Sequence, residues 1–213
     1  MASIGGQTLT RHTKPSHTAM VRNILAVYRS ANTDDIERGS KWYPLAHGIV
    51  TEWADTFGRS IANVASVIAA ISPQCEWNRN LVIADDLLHH NPPSIGGALQ
   101  VNLRKAEQIR DENLPNTLTV FKVGCKVANF AANLAGDWTN AVTVDTHAAQ
   151  IAAGSVALNL KVGTWKQYEP VARAYQDAAR RVNLEPAILQ AIVWVTWKRL
   201  YPAAQKRVIR RRY

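Results

Sequence analysis

From Thr18 onward the apolar residues of this chain recur at three- and four-residue spacing, and each run ends at a capping or breaking residue. That rhythm restricts the chain to helices packed on helices. The one β-branched run of note, Ala141 to Val144, is too short to found a sheet. The spacing predicts about nine helices. The first covers Thr18 to Ala31, and a second, capped by Ser40 with Pro44 in its first turn, runs to Phe57 and ends at Gly58. A buried helix over Ser60 to Ile71 follows, then one over Glu76 to His90. Beyond the Asn91-Pro92-Pro93 break comes an amphipathic helix over Gly97 to Glu112. After Leu114-Pro115 the pattern gives a short helix, a tight turn at Lys122-Val123-Gly124, and a helix over Cys125 to Ala135 stopped by Gly136. Thr143 or Asp145 opens the next helix, and two long ones cover Trp165 to Val182 and Glu185 to Tyr201. No internal repeat is present, and residues 1–17, rich in Gly, Ser and Thr, read as a flexible basic arm.

Composition narrows the partners. With 213 residues and 47% hydrophobic content the chain can bury a core as one domain or as two lobes. The unbroken apolar stretches, such as Val64 to Ile71 and Ala187 to Val195, fall far short of the roughly 20 residues that cross a bilayer. The polar start of the chain lacks the apolar segment of a secretory signal, so a cytoplasmic location with no membrane association is expected. Two cysteines, Cys75 and Cys125, cannot make a four-thiolate metal or iron-sulfur site, and no disulfide, metal or cofactor is expected. A net charge of +9 favours a polyanionic partner, because lysine and arginine that neutralise phosphates release counterions. Nucleic acid leads that class, and the basic run Lys198, Arg199, Lys206, Arg207, Arg210, Arg211 and Arg212 suits phosphate contact.

Three segments carry residues suited to chemistry. Ala70-Ile71-Ser72-Pro73-Gln74 ends a helix in a Ser-Pro-Gln turn, ordinary punctuation unless Gln74 has a ligand. Val123-Gly124-Cys125-Lys126-Val127-Ala128-Asn129 couples a turn to a helix start, where backbone N–H groups can converge on a phosphate; Lys126 alone would be a solvated helix lysine. Val142-Thr143-Val144-Asp145-Thr146-His147 places a carboxylate where an N-cap belongs.

In this order the three segments resemble the endonuclease III branch of the helix-hairpin-helix (HhH-GPD) DNA glycosylase superfamily, over roughly Ile61 to Ala153. They are similar to that family's "LSAQ" helix end, its "PGVGRKTAN" hairpin and its "AVDTHV" motif. The resemblance implies a two-lobed helical bundle, with a lobe carrying the hairpin over residues 59–142 and a terminal lobe built from 18–58 and 143–213. A bacterial or viral member without the iron-sulfur cluster is implied. The terminal lobe would then be held by apolar packing, a task that Trp165, Tyr168, Tyr175, Trp194, Trp197 and Tyr201 fit.

The resemblance also assigns roles. Gln74 would wedge into a DNA duplex and fill the hole left by an extruded base. Lys122, Val123 and Gly124 would grip a phosphate together with Arg210, Arg211 and Arg212, although Lys122 stands where the family usually has a glycine. Lys126 would attack the sugar C1′ and form a Schiff base that permits strand cleavage, and Asp145 would stabilise positive charge on the sugar as the base leaves. His147 matches a histidine of structural role. Glu76, Trp77 and Asn78 follow Gln74 and could line the base pocket. The expected activity is base excision on double-stranded DNA by a monomer, with or without cleavage at the resulting abasic site. Two alternatives stay open. Relatives of the fold in bacterial viruses act in hypermodification of thymine without excising it, and helix-hairpin-helix elements elsewhere serve only as phosphate clamps.

Overall fold

The computed structural model describes residues 14–112, 125–157 and 160–202. Every regular element among them is an α-helix: α1 (His17–Arg29), α2 (Thr33–Phe57), α3 (Ile61–Ile71), α4 (Trp77–Leu88), α5 (Gln100–Glu112), α6 (Cys125–Leu134), α7 (Thr146–Ala153), α8 (Trp165–Arg181) and α9 (Pro186–Leu200). None of these helices is long and apolar enough to cross a membrane. The hairpin residues Lys122, Val123 and Gly124, the helix expected after Pro115, and Arg210, Arg211 and Arg212 lie outside the described residues.

The helix ends follow side-chain caps. Ser16 caps α1, its Oγ accepting from Ala19 N–H at 3.2 Å, so the helix starts ahead of Thr18. His17, expected in the free arm, instead meets Asp177 of α8 at 2.6 Å. The second helix starts at Thr33 rather than Ser40 because Asn32 and Asp35 form a reciprocal capping box. Asp35 N–H donates to Asn32 Oδ1 at 2.8 Å, and Asn32 N–H donates to Asp35 Oδ2 at 3.1 Å. Pro44 therefore falls inside α2, where it has no N–H to give the Ser40 carbonyl. The start of α5 is also later than expected, since Gly97 has a φ of 129°, outside the helical region. Ser60 caps α3, and of the two candidate openers of α7, Thr143 and Asp145, it is Asp145 that caps the helix.

Two apolar clusters form the interior. In the first, α3 is buried on nearly every face, surrounded by α2, α4, α5 and α6. The second joins α1, α7 and α8 with Val142 and Val144. Between them runs α9, which turns Ala187, Ile188, Ala191 and Ile192 to the first cluster and Leu189, Val193 and Trp197 to the second. The apolar face of α2 (Tyr43, Ala46, Val50, Ala54) packs in the first cluster with α3 to α6. Helix α2 also lies close on α9: a Cβ on Gly39 would stand 2.7 Å from the Ile192 nitrogen and closer still to its Cα.

Aromatic packing of the second cluster is divided. Tyr168, Tyr175 and Trp197 are buried as expected, whereas Trp165 and Tyr201 are exposed and Trp194 is half-buried at the edge of a cleft. Arg199, expected among the phosphate-contacting cations, is engaged within the fold. Its guanidinium donates to both oxygens of the buried Asp35 at 2.6 to 3.1 Å and to the Ser30 carbonyl at 2.8 Å, joining the end of α9 to the start of α2.

Candidate functional site

The extended segment Ala141 to Asp145 gets its polar partners from side chains rather than from a sheet. Asn133 of α6 donates to the Ala141 carbonyl at 2.9 Å and accepts from Thr143 Oγ1 at 2.8 Å, while Val142 N–H donates to Asn129 Oδ1 at 3.3 Å. From α8, the buried Tyr168 hydroxyl donates to the Val142 carbonyl at 2.6 Å and accepts from Val144 N–H at 2.8 Å. Tyr175 donates to the Ala148 carbonyl at 3.0 Å. Each backbone group so held is buried, and leaving it unpaired would cost more than the bond contributes. The segment is thereby fixed between α6 and α8, and it delivers Asp145 to the mouth of α7.

Asp145 is held at both oxygens. Ala148 N–H donates to Oδ1 at 2.8 Å in the N-cap bond, and Trp194 Nε1 donates to Oδ2 at 3.1 Å from α9. The positive end of α7 favours the carboxylate there. The Trp194 ring in turn carries Lys198, one turn further along α9, whose Nζ lies 4.0 Å from the ring centre. His147 meets the same indole edge-on and pairs its Nδ1 with Gln150 Oε1 at 3.3 Å, an arrangement internal to the start of α7.

Asp145, Trp194 and Lys198 face a cleft of about 370 Å³, within the size range of small-ligand sites, about 300 to 1,000 Å³. One wall is aromatic: Trp42 of α2, Trp77 of α4 and Phe130 of α6 stand 5.2 to 6.4 Å apart. Lys126 from the first turn of α6, Asp145, Trp194 and Lys198 also line the cleft, with Glu76 at the cap of α4. Deeper in, the Tyr43 hydroxyl donates to Gln190 Oε1 at 3.1 Å, and burial pushes its ionisation above the usual tyrosine range. Cys75 lines the cleft too, but burial drives its thiol upward, away from the thiolate a nucleophile needs. Burial lowers the Lys198 ammonium below the ordinary lysine value, with Arg38 acting in the same direction and the charges of Asp145 and Glu76 opposing.

Lys126, Asp145, Glu76 and Trp77 thus line one cleft, while Asn78 is exposed and outside the lining. The asparagine that lines the cleft is Asn80. With Glu76 as the cap, Trp77 and Asn80 fall three apart on one face of α4, and Asn78 points elsewhere. Gln74 is exposed in the turn between α3 and α4 with a φ of 69°, a left-handed conformation uncommon for glutamine. Trp42, Tyr43, Gln190, Trp194 and Lys198 are site residues that motif reading does not reach. The i, i+4 pair of Trp194 and Lys198 is the one local signal among them. Among the described residues no group of three His, Cys, Asp or Glu side chains is placed to hold a metal ion.

Comparison with known proteins supplies a family. A model described as "Family of unknown function (DUF7178)" matches residues 7–200. No curated protein and no solved structure matches the chain.

Proposed function

The chain belongs to the DUF7178 family, and from its cleft we propose that it is a DNA base-excision enzyme of helix-hairpin-helix glycosylase type. The observation that carries this reading is the meeting of Lys126 and Asp145, nineteen positions apart in sequence, on one aromatic-walled cleft. In this reading a base is extruded from double-stranded DNA and its flat faces stack among Trp42, Trp77 and Phe130. The sugar then lies against Asp145. As the N-glycosidic bond breaks, positive charge grows on C1′ and the ring oxygen. A carboxylate already fixed by Ala148 N–H and Trp194 Nε1 stabilises that charge with no reorganisation. Lys126, when neutral, adds to C1′ and forms the imine from which strand cleavage follows.

The experiment is a screen of duplexes carrying oxidised, alkylated, mismatched or virus-type modified bases, with the supernatant assayed for free base and the DNA digested to nucleosides. Free base from at least one duplex supports excision. A nucleoside of altered mass with no free base replaces excision by group transfer to the base. DNA binding without either change reduces the protein to a phosphate clamp.

A further inference from the structure

Helix α9 places a second amine in the same cleft. Lys198 is half-buried and lines the cavity together with Lys126 and Asp145. Its ammonium lies over the Trp194 ring, 4.0 Å from the ring centre, and that ring is itself tied to Asp145 through Nε1. A lysine in the last turn of a helix ordinarily extends to solvent and serves the helix dipole. Lys198 instead lies over an indole that bonds the carboxylate of the site. Loss of solvent also favours its neutral form, the form with a lone pair to donate. The first-turn position of Lys126 and the last-turn position of Lys198 bring their amines in from different helices, α6 and α9.

We propose that Lys198 is a second reacting amine of this cleft, able to add to C1′ of the abasic sugar in place of Lys126; this rests on the base-excision reading above. The Nζ lone pair forms a bond to the aldehyde carbon of the ring-opened sugar. The carbonyl π pair moves to oxygen, which takes up a proton. The resulting carbinolamine loses water and leaves an imine. No oxidant, reductant or further co-reactant enters, and amine plus aldehyde gives imine plus water. Borohydride added from outside delivers hydride to C1′ and makes the adduct permanent.

The full chain is incubated with a duplex containing one abasic site in the presence of borohydride, and the adduct is located by peptide mapping. Wild type, Lys126→Ala, Lys198→Arg, Lys198→Met and the double variant Lys126→Ala/Lys198→Arg are compared, with thermal melts to confirm that each is folded. Arginine keeps a cation over Trp194 and removes the nucleophile, so Lys198→Arg separates reaction from packing. The expected result is an adduct at Lys198 in Lys126→Ala, and its loss in the double variant. An adduct confined to Lys126, or spread over other lysines and unchanged in the double variant, overturns the proposal while leaving base excision intact. Absence of any adduct in the folded wild type overturns amine chemistry at both lysines. Absence of free base from every duplex in the screen removes the base-excision reading itself.

Discussion

Trp194 gives Asp145 one hydrogen bond, and that bond sets which way the carboxylate faces. With Oδ1 committed to the α7 cap, the plane of the group is fixed only when Nε1 also holds Oδ2. Trp194→Phe keeps most of the ring under Lys198 but removes the N–H. It should slow single-turnover base release by about 10- to 100-fold, the scale of losing a partner that orients a functional side chain, with little change in the melting midpoint. An unchanged rate would mean that the cap alone orients the carboxylate. Asp145 is legible as a helix cap directly before an apolar run, whereas Lys126 read alone is a solvated helix lysine and takes its role from the resemblance to the glycosylase motifs. Trp194 is not legible. It lies forty-nine residues from Asp145, and its reading as an apolar packing residue follows from the lobe that the resemblance implies, which says nothing of where an indole N–H points. Asn80 escapes for a smaller reason: Asn78 is named for its nearness to Gln74 in sequence, whereas three-residue helical spacing puts Asn80 on the face of Trp77.

The extended Ala141–Asp145 segment shows how an element without a ladder is kept in place. Tyr168→Phe strips the hydroxyl that serves both Val142 and Val144. Two buried backbone groups lose their partner, so a cost of about 1–3 kcal/mol is expected, read as a lower urea midpoint, together with slower base release as Asp145 loses its support. The contact of α2 with α9 answers to sterics. Alanine is the better helix former by about 1 kcal/mol, yet at Gly39 its methyl would press into the Ile192 backbone. Overpacking of this kind costs about 1–3 kcal/mol, so Gly39→Ala should lower the melting midpoint. One turn earlier on α2, the Arg199 guanidinium holds the Asp35 carboxyl below the usual carboxylate range. The folded value lies below the unfolded one, so this contribution is complete above the ordinary carboxylate value and is lost as pH falls through the lowered one. Urea midpoints followed from neutral pH into acid should fall less steeply for Asp35→Asn than for wild type. The helix starts that sequence reading places well, Ser60 and Asp145, are single caps directly before an apolar run. The start of α2 escaped because Ser40 and Pro44 imitate a helix entrance, while the true capping box lies in a polar stretch without apolar rhythm.

At the scale of the whole molecule, helices from both apolar clusters must meet for the cleft to exist. Lys126 and Trp77 come from helices of the first, Asp145 caps a helix of the second, and α9 spans them with Trp194 and Lys198. The sequence makes an all-helical bundle legible through its apolar spacing, but the division of labour between clusters depends on α9 facing two ways, which periodicity does not reveal. A net charge of +9 predicts that duplex binding weakens with salt, with log K falling by about 0.9 per phosphate contact for each unit of log salt concentration. A titration in rising salt checks this, and a flat response would remove DNA as the partner. The most direct test of the account is single-turnover release of free base from the duplex best processed in the screen, wild type against Asp145→Asn, with both proteins folded and equally bound. Asparagine keeps the shape and can still cap α7, but carries no charge to meet the growing positive sugar. The account predicts a loss of about 100-fold or more; a rate for Asp145→Asn equal to wild type would contradict it.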